Sequence, residues 1–349
     1  MRLGKESVLS LVKEVLLKLS SVYTPSGEEL NAKDVMLQIS KELDLPLQID
    51  ETSSYYLGSQ ESKVLLASHI DTVPGFIQPK DEGSTIFGRG VVDAKGPLSA
   101  MIVASHLLKG DGCDVLVAGL SDEERLSAGA KALVRKGRRF SHVIVGEPTS
   151  TSGIALEYRG VAHFDIRCTF REGHSSSLKY NLIEDVSRRI VELYSPASEY
   201  DKPSIVPTIF RSGSAMNVAP KEAYVHFDVR YSVRNSFDEI YQRIYSTFKD
   251  CRVELIEHLP PVKTSVNTAV YRTLSRALIS LGLKPSPVRK WGTSDMNVLA
   301  PIAKEIAAYG PGDSKLEHTD YERVTYEELY IGTMTYYNAV KELCRNSQT

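Results

Sequence analysis

The chain has 349 residues, 42% of them hydrophobic and 25% charged, with a formal net charge of −2. That length suits two domains and a sizeable core, and the near-neutral balance gives no overall pull toward nucleic acid or an acidic membrane surface. Four scattered cysteines, Cys113, Cys168, Cys251 and Cys344, form no CxxC cluster, which argues against a zinc finger or a disulfide framework and for reduced structural thiols.

In chain order, Val8, Leu11, Val12, Val15, Leu16 and Leu19 recur at helical spacing with charges between them. No small-residue cleavage site follows, so the segment predicts a folded amphipathic helix and not a signal peptide. With no long apolar run in the sequence, no membrane span and a cytoplasmic location are the expectation. Up to about Leu156 short apolar runs alternate with helical stretches: KVLLASH, a helix over 97–108, CDVLVAGL, a helix over 128–135, and SHVIVGE. This alternation predicts an α/β domain, with a mixed, mainly parallel sheet and flanking helices.

From Glu157 to Pro261 the texture changes to longer alternating strands, VAHFDIRCTF, PSIVPTIF and EAYVHFDVRYSV, with helical stretches near 183–194 and 237–248. Strand, helix, strand, strand, helix, strand is the order of a ferredoxin-like α+β domain. A helix over 268–281, the strand KEIAAYG and a last helix over 325–343 resume the first texture. Residues 1–156 and 262–349 are therefore expected to form one domain, with 157–261 inserted into it.

Ligands in open α/β sheets gather at the carboxyl ends of strands, and the chemically capable residues fall there. LLASHID delivers His69 and Asp71, VLVAGLSDEE delivers Asp122, Glu123 and Glu124, and VIVGEP delivers Glu147. FGRGVVDAKGP places Asp93 before a helix whose first turn carries Pro97, and EHTDYE supplies His318. Taken singly these are ordinary: a His-x-Asp is usually a local hydrogen bond, and acids before a helix complement its dipole. Taken together, histidines and carboxylates converging on one sheet edge need cations among them. Mixed imidazole and carboxylate donors suit zinc, cobalt or manganese. Asp71 would accept the spare ring N–H of His69 and leave the other nitrogen for metal.

The motifs SHIDTVPG, GRGVVDAKGPLSA, SDEE, GEPT, EGHSS, MNVAP, FDVRY, GTSD, YGPG and EHTDYE, in that order, resemble the dinuclear-metal amidohydrolases that include acetylornithine deacetylase, succinyl-diaminopimelate desuccinylase, aminoacylase and carboxypeptidase G. The resemblance spans nearly the whole chain. It implies a zinc-peptidase-like catalytic domain holding two divalent ions per subunit, zinc or cobalt. Asp93 would bridge them, His69 and Glu147 completing one and Glu124 and His318 the other. Glu123 would be the general base beside them, taking a proton from the attacking water. The resemblance further implies a cis peptide at Asp93-Ala94.

The insertion resembles the family's lid and dimerisation domain, implying a homodimer. His174 would then reach the partner's site to stabilise the oxyanion. Asn217, Arg230, Thr293 and Ser294 match substrate-binding positions, and an arginine fork suits a carboxylate.

Within the family the chain looks most like the type that releases lysine or ornithine from the γ-carboxyl of the C-terminal glutamate of an acidic amino-group carrier protein. The basic run at Lys131, Arg135, Lys136, Arg138 and Arg139 fits such a partner electrostatically, although a solvated helix end accounts for it equally well. Competing readings are deacylation of N-acetylornithine or N-succinyl-diaminopimelate, a dipeptidase or carboxypeptidase, and an inactive metal-binding regulator. The last has no need of Glu123.

Overall fold

The computed structural model describes residues 4–170, the backbone of 173–174, and residues 180–346, the last by its backbone alone. The chain divides into two compact units, one of Met1–Leu156, Thr264–Arg289 and Ser294–Thr349, the other of Glu157–Lys263 and Lys290–Thr293.

The first unit opens with α1 (Lys5–Ser20), which buries Val8, Val12, Val15, Leu16 and Leu19 on one face, the stripe its spacing predicts. α2 (Lys33–Glu42) and the hairpin β1 (Leu47–Ile49) and β2 (Tyr55–Gly58) lead to β3 (Val64–His69). Every residue of β3 is buried, as a continuous apolar run requires of a strand covered on both faces. Two short strands, β4 (Lys80–Asp81) and β5 (Thr85–Phe87), precede α3 (Lys95–Gly110), a helix buried nearly all round. Gly96 is required in its first turn, because a Cβ there would lie 2.3 Å from the Val91 carbonyl oxygen. β6 (Leu116–Leu120), α4 (Ala128–Arg135), β7 (Phe140–Val145) and β8 (Gly153–Tyr158) follow.

The second unit contains β9 (Gly160–Thr169), β10 (Gly173–His174), α5 (Leu182–Leu193), β11 (Ser204–Ser212), β12 (Val218–Ala219), β13 (Glu222–Tyr231), α6 (Phe237–Thr247), β14 (Arg252–Leu259) and β15 (Val262–Lys263). Its main sheet runs β11-β13-β9-β14 with every neighbour antiparallel, the 4-1-3-2 arrangement of a ferredoxin-like fold. Burial alternates along β9 and β13. Phe164, Ile166, Val225, Phe227 and Val229 form a core with Val186 of α5 and Ile244 of α6, and the other sheet face is polar.

The first unit resumes with α7 (Ala269–Ser280), β16 (Ser286–Lys290), α8 (Asp295–Leu299), β17 (Ala303–Ala308), β18 (Arg323–Thr325) and α9 (Tyr326–Asn346). The amide of Thr264 donates to the carbonyl of Leu156 at 2.8 Å, so the chain leaves this unit and re-enters it at hydrogen-bonded neighbours. Its sheet runs β1-β2-β6-β3-β7-β17-β8, with β6, β3, β7 and β17 parallel and the flanks antiparallel. A small sheet, β18-β5-β4, sets Arg323 opposite Phe87 and so brings the chain after His318 beside the chain before Asp93. Among the described residues no helix is long and apolar enough to cross a membrane.

The cysteines depart from expectation. Cys113 is bonded to Cys344 in the first unit and Cys168 to Cys251 in the second, so they are disulfides and not free thiols. Their sequence separations, 231 and 83 residues, hide the pairing. The register of β9 on β14, with Arg167 opposite Arg252, makes neighbours of the second pair.

Candidate active site

The parallel strands β6, β3, β7 and β17 end along one edge, and the loops leaving that edge carry the chemistry. β3 ends on His69, with Asp71 two residues on, β6 runs into residues 121–124, and β7 into Glu147. Beside Glu147 the chain of β17 passes so closely that a Cβ on Gly310 would lie 2.6 Å from the Glu147 carbonyl oxygen, which accounts for glycine there. Asp93 lies at the start of α3, and the Asp93-Ala94 peptide is cis.

Asp93 is the centre of the cluster. His69 Nε2 meets its Oδ1 at 3.1 Å and His318 Nε2 meets its Oδ2 at 3.1 Å, one carboxylate oxygen to each imidazole. His318 Nε2 also lies 2.9 Å from Glu124 Oε2. Ligand atoms of His69, Asp93 and Glu124 all fall within 4.8 Å of one another. Glu147 is buried on the same edge, and its negative charge is felt by Glu123.

Asp71 acts differently from the expectation. His69 Nδ1 lies 3.0 Å from the Asp71 backbone carbonyl and 3.5 Å from the carboxylate Oδ1, so the carbonyl is the nearer acceptor. Either acceptor keeps a proton on Nδ1 and leaves Nε2 facing the cluster. The carboxylate is occupied elsewhere, accepting the backbone N–H of Glu123 at 3.2 Å and of Glu124 at 3.1 Å and the Ser26 hydroxyl at 2.7 Å. One buried acid therefore orients an imidazole and anchors the turn bearing the two glutamates.

The electrostatics are those of a site short of positive charge. Hydrogen bonds with Asp93 and Glu124 push His318 up to about 10. Burial pushes His69 down, but Asp71 and Asp93 outweigh it and hold the ring well above its ordinary value. Burial also lifts Asp93, and the two imidazoles overcome it to hold the carboxyl well below the usual range. Glu123 is raised well above an ordinary glutamate, by burial first and then by the charges of Glu147, Asp295 and Glu124. Carboxylates that draw protons onto both imidazoles have the donor set and the charge deficit that divalent cations fill. On that observation the residues fit a metal centre.

Several supporting residues carried no signal strong enough to find them in sequence. Glu29 is buried, and its Oε1 accepts the amides of Gly27 and Asp122, both at 2.9 Å. It thereby fixes the residue that precedes Glu123, itself at a φ of 64°. Asp295, the last residue of GTSD, is buried beside these acids. Burial first, then the negative charge of Asp71, pushes its carboxyl up to about 7. Arg89 and Glu322 form a buried ion pair at 2.7 Å.

The other expected residues are divided between the two units. Asn217, Arg230 and Thr293 belong to the second unit, and Ser294 to the first. Arg230 spreads its fork on Asp228, at 2.9 and 3.0 Å, and donates to Thr293 Oγ1 at 3.3 Å. Asn217 is exposed in a turn before β12. Ser294 caps α8, its hydroxyl accepting the Met296 amide. The backbone of His174 pairs with Val218, and its side chain lies outside the described residues. In the basic run Lys136 pairs with Asp50 at 2.8 Å, Arg138 donates to the Ser62 carbonyl and Arg139 to that of Pro301.

Comparison with known proteins agrees with this geometry. The chain is 51% identical over 344 residues, 99% of each chain, to a protein of Sulfurisphaera tokodaii named "[LysW]-lysine/[LysW]-ornithine hydrolase". It is 48% identical over 340 residues, 97% of this chain and 98% of the other, to one of the same name from Saccharolobus solfataricus. Among solved structures it is similar in fold to aminopeptidase PepT from Bacillus cereus (TM-score 0.81, 18% identity, 96% of this chain and 98% of that one). An M20 family metallo-carboxypeptidase from Sulfolobus solfataricus is similar too (TM-score 0.79, 17% identity, 95% and 98%). The family model for peptidase family M20/M25/M40 matches residues 65–342, which hold the whole cluster from His69 to His318, and the chain belongs to that family.

Proposed function

We propose that this protein is a divalent-cation-dependent hydrolase of a linear amide. It releases lysine and ornithine from the γ-carboxyl of the C-terminal glutamate of an acidic amino-group carrier protein, a step of lysine and arginine biosynthesis. The observation that carries the hydrolytic reading is Asp93 held between two imidazoles, with Glu124 beside it and Glu123, within reach of their charges, next in the chain. The substrate reading is supported by full-length relatives at 51% and 48% identity named for that activity.

His69, Asp93, Glu124, Glu147 and His318 would hold two cations, zinc or cobalt. Bound there, these would polarise the amide carbonyl and make water nucleophilic at neutral pH. Glu123 takes one proton from the attacking water as the oxygen–carbon bond forms, and delivers it to the departing nitrogen as the carbon–nitrogen bond breaks. A carboxylate is left on the carrier and a free amine on the amino acid. Asp71 keeps the His69 tautomer and the Glu123 backbone in place. His174, from a partner subunit in a homodimer built through the inserted unit, stabilises the oxyanion. Asn217, Arg230, Thr293 and Ser294 serve the substrate's polar groups. A cytoplasmic enzyme is the natural setting for a biosynthetic carrier.

The test is release of free amino acid, read by mass spectrometry, from cobalt- or zinc-loaded protein. It would be offered carrier-linked lysine, carrier-linked ornithine, N-acetylornithine and N-succinyl-diaminopimelate in parallel. Preferential turnover of the carrier-linked pair is expected. Cleavage of the free acyl compounds alone would keep the hydrolase and discard the carrier.

A further inference from the structure

We infer that the buried pair of Arg89 and Glu322 positions His318 against Asp93, and so sets how tightly the cluster holds the cation that His318 serves. This rests on the two-cation reading above. Arg89 lies four residues before Asp93 and Glu322 four residues after His318, so the pair spans the two segments that meet at the bridging carboxylate.

The pair is densely hydrogen-bonded, four of the five guanidinium N–H donors being used, as a buried ion pair must be to persist. Arg89 Nη1 donates to Glu322 Oε1 at 2.7 Å and to the Thr319 carbonyl at 2.9 Å. Its Nη2 donates to Asp320 Oδ1 at 3.2 Å and its Nε to the Gly75 carbonyl at 3.0 Å. Glu322 Oε2 accepts the amides of Gly90 at 2.9 Å and Val92 at 3.4 Å, and the Glu322 carbonyl accepts that of Gly88 at 3.2 Å. Three loops are thereby fastened together: the one after His69, the one before Asp93 and the one after His318.

His318 supplies the reason for so rigid a fastening. Its φ is 62°, the left-handed region that non-glycine residues seldom occupy, so its surroundings must hold it there. The residue immediately after it, Thr319, gives its carbonyl to Arg89. His318 is otherwise exposed at the mouth of the cluster, so packing alone does not fix it. Two apolar residues in place of the pair would hold the loops together by burial, but a planar fork and a carboxylate also fix their register.

The experiment is a cobalt titration of metal-free protein, followed by calorimetry and by cobalt absorption, on the wild type, Arg89→Lys, Glu322→Gln and a core control, Val340→Ala. The wild type is expected to take up two cobalt ions. In Arg89→Lys and Glu322→Gln one of the two steps weakens about 10- to 100-fold, and the cobalt absorption changes, while circular dichroism reports a folded chain. Val340→Ala lowers the melting temperature and leaves both steps and the spectrum unchanged, which separates positioning from loss of stability. If Glu322→Gln does not fold, Arg89→Lys decides, since it keeps the charge and loses only the fork. Folded variants with wild-type affinities and spectrum would overturn the positioning role alone. A wild type that binds fewer than two cobalt ions would overturn the two-cation reading and this inference with it.

Discussion

Both units of this chain carry histidines among carboxylates, and among the described residues only the array of the first unit brings its ligand atoms within 4.8 Å of one another. On the open face of the second unit's sheet His163 turns its two nitrogens to different acids, Asp228 at 3.3 Å and Glu257 at 3.5 Å. His226 takes Asp165 at 2.7 Å, and Arg230 takes Asp228. There each histidine is paired across strands, and Arg230 is paired with Asp228 along its own strand. At the sheet edge of the first unit two imidazoles meet one carboxylate from opposite sides. The sequence pattern is the same in both: His69-Ile70-Asp71, His163-Phe164-Asp165 and His226-Phe227-Asp228 are all His-x-Asp. Position along the strand separates them. Inside a strand the neighbours two apart face partners on the next strand, while at a strand end they face whatever other loops bring.

Removing cations should separate the two arrays most clearly. Dialysis against a chelator should abolish amino-acid release, with cobalt or zinc restoring it; activity that persists without metal would place the two arrays on equal footing. Next in size is Glu123→Gln, which is expected to lower kcat by about 10²- to 10⁴-fold while cobalt uptake stays intact.

Stability changes come third. Each unit is closed by one disulfide. Cys113→Ser should cost about 2–4 kcal/mol in denaturant unfolding, and Cys168→Ser roughly 1 kcal/mol less, since it closes the shorter loop. Asp228→Asn tests whether the second array is structural. Burial lifts this carboxyl, but His163 and Arg230 hold it well below the usual range. A depressed carboxylate contributes stability above its unfolded value of about 3.9 and loses it as pH falls toward the folded one. The variant should therefore be weaker by roughly 2 kcal/mol at neutral pH, and the gap should close on acidification below about pH 4. The smallest expected effect is that of His163→Ala, about 1 kcal/mol on a half-buried pair, with cobalt binding unchanged.

How far the sequence could be read follows from the same physics. His69, Glu124 and Glu147 were legible because each ends an apolar run, and β3, β6 and β7 are buried on both faces. The ferredoxin-like order was legible from alternation and helical spacing. The carboxylate of Asp71 was not: its partners, the amides of Glu123 and Glu124, lie more than fifty residues away, and backbone donors carry no side-chain signature. Arg89 and Glu322 were hidden by distance along the chain, 233 positions apart. The short strands β4, β5 and β18 have too few residues for periodicity to show, yet they set those two segments side by side.

The hydrogen bond between the amide of Thr264 and the carbonyl of Leu156 has a consequence for how such a chain can be rebuilt. The cut ends of the cation-binding unit stand next to each other, so a turn of a few residues could splice them and leave its parallel strands, its helices and its cluster undisturbed. The intervening stretch leaves and returns at one point, so splicing it out would separate the cluster from His69 to His318, which the first unit holds by itself, from whatever His174, Asn217 and Arg230 add to it.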